Sequence, residues 1–377
     1  MIPFKKKMIY VLNYVHSNDV QHFVHVLKLL RTLEEDFGWE IVVLSEKGGA
    51  GVQIVHGIKV RYLSVNGRFS RLVSLAIALT ELRSEGYGII FIRISRPAAL
   101  VASIVGKIFG MKTFYWQSTA NFDLDRGKTV IRRCLDDLAI KFIIRYVTRF
   151  VTAPEYMLRY YQEFYNVPKR KLLLLYNDID MTRFSPQDSL LDDDTKVNIL
   201  FVHSLSPSKN AAFYFPHIID RLNSLATEEM RIEIIIIGDG PERVTISDQI
   251  KAANNYLTIT MLGAIPNVDI PQYLAKSDIF IMPSYREGMP RALMEAMAMG
   301  LPVVSTDAGG TRNMVGPHQN RYIVSRDDPH AFAERLAALI CDQTEQHALG
   351  KENHMSIQRY ATPKIAEMYH KAFMELL

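Results

Sequence analysis

The stretch PSYREGMPRALMEAMAMGLPVVSTD, residues 283–307, decides how the rest of the chain reads. Ahead of it, residues 278–282 form a short apolar run, the pattern of a buried strand. A polar loop follows, with Glu287 at its tip and Gly288 beside it. Pro290 suits a helix start, and the helix closes near Gly300. Residues 302–306 then restore an apolar strand. Strand, loop, helix and strand make one crossover unit, as parallel strands require. N–H groups of Gly288, Met289 and Arg291 stand at the helix start, where an anion is favoured. Pro290 has no N–H to give. Glu295 lies one to two turns into the helix, so Glu287 and Glu295 can address one extended ligand. Each carboxylate accepts two hydrogen bonds, which suits vicinal sugar hydroxyls. Met294, Met297 and Met299 read as core filling.

The same rhythm extends in both directions. Strands are expected at 8–15, 40–45, 58–63, 88–92, 112–116, 149–152 and 171–175, and helices at 20–35, 70–85 and 129–145. Residues 176–196 hold turn and linker chemistry, including three consecutive aspartates. A second strand series follows at 197–203, 231–237, 257–262, 278–282, 302–306 and 321–324. The chain therefore reads as α/β, with two doubly wound Rossmann-like domains facing a central cleft. The expected boundaries are 1–185 for the first domain, 186–196 for the linker and 197–360 for the second. Ligands in such sheets bind at the carboxyl ends of the strands, and the cleft is the expected site.

Composition narrows the partners. Of 377 residues, 48% are hydrophobic and 22% charged, which excludes a disordered or fibrous chain. Cys134 and Cys341 are too few for a disulfide framework or a Cys-rich zinc site. No apolar run reaches the roughly 18 residues of a spanning helix, and residues 8–12 are too short for a signal-peptide core. An intracellular, reduced protein is expected. The net charge of +4 divides unevenly: residues 1–185 hold 27 Lys and Arg against 16 Asp and Glu, the remainder 17 against 24. The first part is thus +11 and the second −7. A basic half suits anionic lipid or an acidic acceptor. Nucleic acid is disfavoured, since no zinc-finger spacing or RRM-like aromatic signature is present. Lys141, Arg145 and Arg149 fall four apart, as on one helical face, beside Phe142, Ile143, Ile144 and Tyr146. Such a surface suits an anionic membrane, and an ordinary buried helix with charged edges gives the same pattern.

Two further loops bear on the site. Residues 201–210 end a strand in a polar loop carrying Ser204 and Lys209, and a lysine there suits a phosphate. Residues 237–243 hold Gly238, Asp239 and Gly240, with Arg243 where a dinucleotide fingerprint has its third glycine. That departure disfavours a dinucleotide oxidoreductase, and a tight structural turn explains the two glycines equally well.

From Glu287 to Glu295 the chain resembles the E-x7-E motif of retaining GT-B glycosyltransferases, particularly family 4. The segments 176–180, 184–186, 263–266, 273–278, 300–304 and 307–310 resemble those around that motif. Residues 360–377 are similar to the family's last helix, so 361–377 is expected to return to the first domain. The resemblance implies sugar transfer from a nucleoside-diphosphate sugar to a glycan or lipid-linked acceptor, in surface polysaccharide or glycolipid assembly, with anomeric retention. It implies that Glu287 contacts the donor sugar, Glu295 the ribose and Lys209 the pyrophosphate, with Gly238, Asp239 and Gly240 near the nucleotide. No metal or other cofactor is implied, and a cytoplasmic protein, peripheral on the inner membrane face, is expected. Three positions depart from the pattern. His203-Ser204 replaces Gly-Arg. His16, Ser17, Asn18 and Asp19 replace a glycine-rich loop, leaving His16 and Asn18 as phosphate or acceptor contacts. Gln117 stands where many members have histidine, and it can bond a hydroxyl but cannot act as a base. Arg93, ending a strand, is a further cleft residue. An epimerase on the same fold, or a catalytically degenerate binding subunit, are the alternatives.

Overall fold

A computed structural model describes residues 6–15, 23–63, 67–117, 129–186 and 196–377. The chain divides into two compact units, Met1–Asp178 with Thr362–Leu377, and Ile179–Ala361. Residues 179–185, read with the first domain in the sequence, group with the second unit. Ile179 pairs with Ala361, and Arg183 donates to Asn267 Oδ1 at 2.9 Å. Most of the 186–196 linker lies outside the described residues.

The first unit is built on β1 (Lys7–Leu12), β2 (Glu40–Ser45), β3 (Val52–Val55), β4 (Ile58–Tyr62), β5 (Ile89–Arg93), β6 (Lys112–Trp116), β7 (Arg149–Thr152) and β8 (Leu172–Leu174). Their order is β3-β4-β2-β1-β5-β6-β7-β8. Every pairing is parallel except β3 with β4. In register, Met8 faces Ile41 on one side and Ile89 on the other. Residues 8–12 are all buried, as befits a central strand covered on both faces.

Ile9 and Val11 point into a core shared with helices Arg68–Ser84, Arg96–Phe109 and Val130–Tyr146. On the other face, Tyr10 stacks on Phe91 at 4.8 Å. Phe373 of helix Thr362–Met374 sets its edge against Phe91 and Phe114. That helix also packs on helix Val24–Phe37, and Trp39 Nε1 donates to His370 Nδ1 at 3.0 Å. Local signals set the helix ends. Ser95 and Thr129 accept from the N–H groups three residues on. Gly38 and Gly110 close their helices in the left-handed conformation.

The second unit carries β9 (Lys196–Val202), β10 (Arg231–Ile237), β11 (Leu257–Gly263), β12 (Ile279–Met282), β13 (Val303–Thr306) and β14 (Ile323–Val324). All pairs are parallel, in the order β11-β10-β9-β12-β13-β14. The chain moves outward from β9 through β10 to β11, then returns to β12 on the other side of β9. The switch point therefore lies between β9 and β12, where an open α/β sheet takes its ligands. Beneath it, Ile199, Phe201 and Ile234 pack with Tyr214, Phe215 and Phe332.

Candidate functional site

Glu287 follows β12, and Lys209 follows β9. The switch point brings them together: Lys209 Nζ donates to Glu287 Oε1 at 2.9 Å and to the Arg286 carbonyl at 3.2 Å. His203, at the end of β9, places Nε2 3.0 Å from the same Glu287 oxygen. The Ser204 N–H donates to His203 Nδ1 at 2.8 Å. A ring that accepts at Nδ1 is neutral and carries its proton at Nε2, so His203 supports Glu287 by a hydrogen bond. Burial by itself would raise the Glu287 carboxyl. The His203 hydrogen bond, with the charge and hydrogen bond of Lys209, outweighs burial and holds it at about 2.

The backbone holds these loops in register. Arg286 N–H donates to Ser208 O at 3.1 Å, and Gly310 N–H to Gly288 O at 2.7 Å. At Gly309, φ is +62°, and a Cβ would stand 2.2 Å from Glu287 O. Only glycine lets the loop after β13 support the Glu287 loop so closely. Gly238 has the same kind of reason, because a Cβ there would stand 1.8 Å from His203 O. Leu205 N–H donates to Asp239 O at 2.9 Å. The 238–240 loop is thus pressed against the 203–205 loop, and Gly240 likewise meets Leu205 O. Loop packing accounts for both glycines.

Glu295 lies in helix Arg291–Ala298, whose N-cap Pro290 offers no side-chain acceptor to the first N–H groups. Met289 and Pro290 are buried and Gly288 half-buried. Glu295 is only 4% exposed. Arg291 Nη2 is 3.8 Å from its Oε1. Burial pushes the Glu295 carboxyl up, against the lowering charges of Arg291 and Arg183 and a hydrogen bond from Asn267. The two carboxyls are therefore shifted in opposite directions, Glu287 down and Glu295 up. Arg183 and Asn267 were not singled out in the sequence, although each borders a segment that was. His203 was read only as a departure from a pattern. Its contact with Glu287 depends on two loops that the sequence separates by 84 positions.

The acceptor-side expectations fare differently. Arg93 is buried within the first unit. It is 5% exposed, its guanidinium lies 4.0 Å over the Trp116 ring, and it donates to Asn177 Oδ1 at 2.7 Å. Its charge is used inside the first unit. Gln117 is 3% exposed, and its Oε1 accepts from Tyr115 at 3.4 Å. His16 and Asn18 lie outside the described residues. Among the described residues no group of three or more His, Cys, Asp or Glu could hold a metal ion.

Residues 183–355, which span both the Glu287 and Glu295 clusters, match the family model of glycosyl transferases group 1. WcaL of Escherichia coli (strain K12), named as a candidate glycosyltransferase of colanic acid biosynthesis, is 31% identical over 188 residues, covering 48% of this chain and 45% of that protein. The match thus spans less than half the length of that relative. An Escherichia coli galactosyltransferase named for UDP-Gal and α-D-GlcNAc-diphosphoundecaprenol is 25% identical, covering 70% of this chain and 68% of its own. HepE of Anabaena, solved with UDP and glucose, superposes with a TM-score of 0.74 at 17% identity, over 98% of this chain and 99% of its own. At that identity the likeness shows the fold, and the fold is GT-B: two mainly parallel, doubly wound α/β sheets.

Proposed function

We propose that the chain is a retaining, metal-independent glycosyltransferase. It moves a sugar from a nucleoside-diphosphate sugar to a glycan or lipid-linked acceptor in surface polysaccharide or glycolipid assembly. The observation that carries this reading is Lys209 and His203 meeting on one oxygen of Glu287, beside an uncapped helix start at the switch point. Lys209 neutralises the diphosphate as it leaves, and the N–H groups at the start of helix Arg291–Ala298 add their partial charge. Glu287, pinned through Oε1, offers Oε2 to a hydroxyl of the donor sugar. Glu295, with Arg183 and Arg291, holds the ribose. The anomeric carbon loses its bond to the diphosphate oxygen and gains one to the acceptor oxygen on the same face. The acceptor proton passes to the departing phosphate, so the step needs no side-chain base where Gln117 stands.

UDP in the HepE structure and UDP-Gal in the galactosyltransferase name make a uridine donor the first to try. The test is a thermal-shift panel of UDP, GDP, ADP and CMP with chelator present, followed by NMR of the product anomer. A nucleotide at 100 times its dissociation constant adds about 2.7 kcal/mol. No response to any nucleotide, or an inverted anomer, overturns the reading. Donor binding without transfer would assign the chain as a binding subunit, and release of an altered nucleotide sugar without acceptor would assign an epimerase.

A further inference from the structure

We propose that the outer face of helices Arg68–Ser84, Arg96–Phe109 and Val130–Tyr146 docks on an anionic lipid bilayer. The three helices lie side by side, the first against the second and the second against the third. Their inner sides, with Leu75, Ala98 and Ile140, close the core over one face of the first sheet. Their outer sides are also apolar, which a helix on a water-facing surface is not. In the first helix, Phe69, Val73 and Ile77 recur every fourth residue, and Phe69 is 80% exposed. In the second, Ile104 and Ile108 continue the pattern. In the third, Ile131, Leu135, Leu138 and Phe142 run along one stripe, with Leu135 and Leu138 61% and 62% exposed. The structure revises the sequence reading of this helix. Ile143 and Ile144 face inward, and Arg149 belongs to β7 rather than to the helical face. Among the described residues of the second unit, no helix carries more than one exposed large apolar side chain, with Phe213, Val244 and Met355 each on a different helix.

Charge selects the occupant. The three helices contain nine Lys or Arg and three Asp or Glu. Each acid is already ion-paired, Glu81 with Arg61 at 2.6 Å, Asp136 with Arg96 at 3.0 Å and Asp137 with Lys141 at 2.7 Å. A second copy would set this basic face against itself, and like charges across an interface repel. An anionic bilayer accepts both components: apolar side chains enter the acyl boundary while Arg and Lys heads stay among the phosphates. Each cation near such a surface strengthens binding by about fivefold. Among the described residues no helix is long and apolar enough to cross a membrane, so the contact proposed is peripheral. It rests on the distribution of exposed side chains and stands whether or not the donor reading does.

The test is co-sedimentation of the full chain with vesicles of phosphatidylglycerol and phosphatidylcholine, against phosphatidylcholine alone. Binding is expected only to the anionic vesicles and is released by salt. L135E/L138E and R132S/R133S should each weaken it about tenfold or more, with unchanged melting temperature and unchanged nucleotide shift. Failure to sediment at low salt, or binding that both variants leave intact, overturns the proposal. A dimer dispersed by L135E/L138E without any vesicle binding would do the same and assign the face to a second copy. Capture of an acidic protein in place of vesicles would also overturn it.

Discussion

Each sheet has a switch point, between β1 and β5 in the first unit and between β9 and β12 in the second. Each presents a cation nearby, and the two cations are used differently. Arg93, ending β5, turns inward to stack on Trp116 and bond Asn177 and Tyr10. Lys209, after β9, turns toward Glu287 at the end of the neighbouring strand. The first unit has a returning chain to fasten, since Asp178 accepts from Thr362 and Tyr369 packs beside Arg93. The same topological position thus serves as a structural bolt in one unit and as a charge-holding site in the other. What surrounds the strand ends, rather than the fold, decides which.

The largest effect expected from this contrast is on stability. Arg93→Ala removes a buried charge together with its bonds to Asn177 and Tyr10, and should cost about 3–5 kcal/mol in urea unfolding. A loss below about 1 kcal/mol would break the distinction. Lys209→Ala should cost less, about 1–2 kcal/mol, because His203 still bonds the buried Glu287 carboxylate, while lowering turnover about 10²–10³-fold. If it unfolds the protein as Arg93→Ala does, the two cations are alike after all.

Acid comes next in size. Glu287 is held at about 2 against an ordinary 4.5. A depressed carboxyl stabilises the fold fully above 4.5 and loses that contribution as pH falls toward 2. The difference is worth up to about 3 kcal/mol. Wild-type stability should therefore decline across that window relative to Glu287→Gln, and parallel curves for the two would remove Glu287 from its ion pair. The smallest effect expected is with Glu295→Ala, which should weaken nucleotide binding about tenfold by calorimetry. Unchanged affinity would leave Glu295 as a partner of Arg183 and Arg291 alone.

The strands were legible because parallel strands buried on both faces are continuous apolar runs, and the expected 40–45, 112–116 and 231–237 coincide with β2, β6 and β10. β3 was missed for the opposite reason. It is an antiparallel edge strand, and Val52, Gln53 and Ile54 are all exposed. In the second unit, Glu287, Lys209 and Glu295 could be picked out because the loops that carry them have recognisable local patterns. His203, Arg183 and Asn267 owe their place to contacts between loops far apart in sequence, which no local pattern encodes. A strand end alone does not reveal which way the long Arg93 side chain turns. Trp116 and Asn177 decide that, from other elements.

The pairing of Ile179 with Ala361 has a consequence for how the molecule can be taken apart. These residues are the two ends of the second unit, and they lie side by side. The residues just outside them, Asp178 and Thr362, are joined by a 2.7 Å hydrogen bond. In topology the second unit is an insertion whose entry and exit coincide, the arrangement under which domains tolerate excision and transplantation. Residues 179–361 should therefore be expressible as a free-standing module, and a short graft between 178 and 362 should close the first unit without it. That would make the two halves available for exchange as separate cassettes.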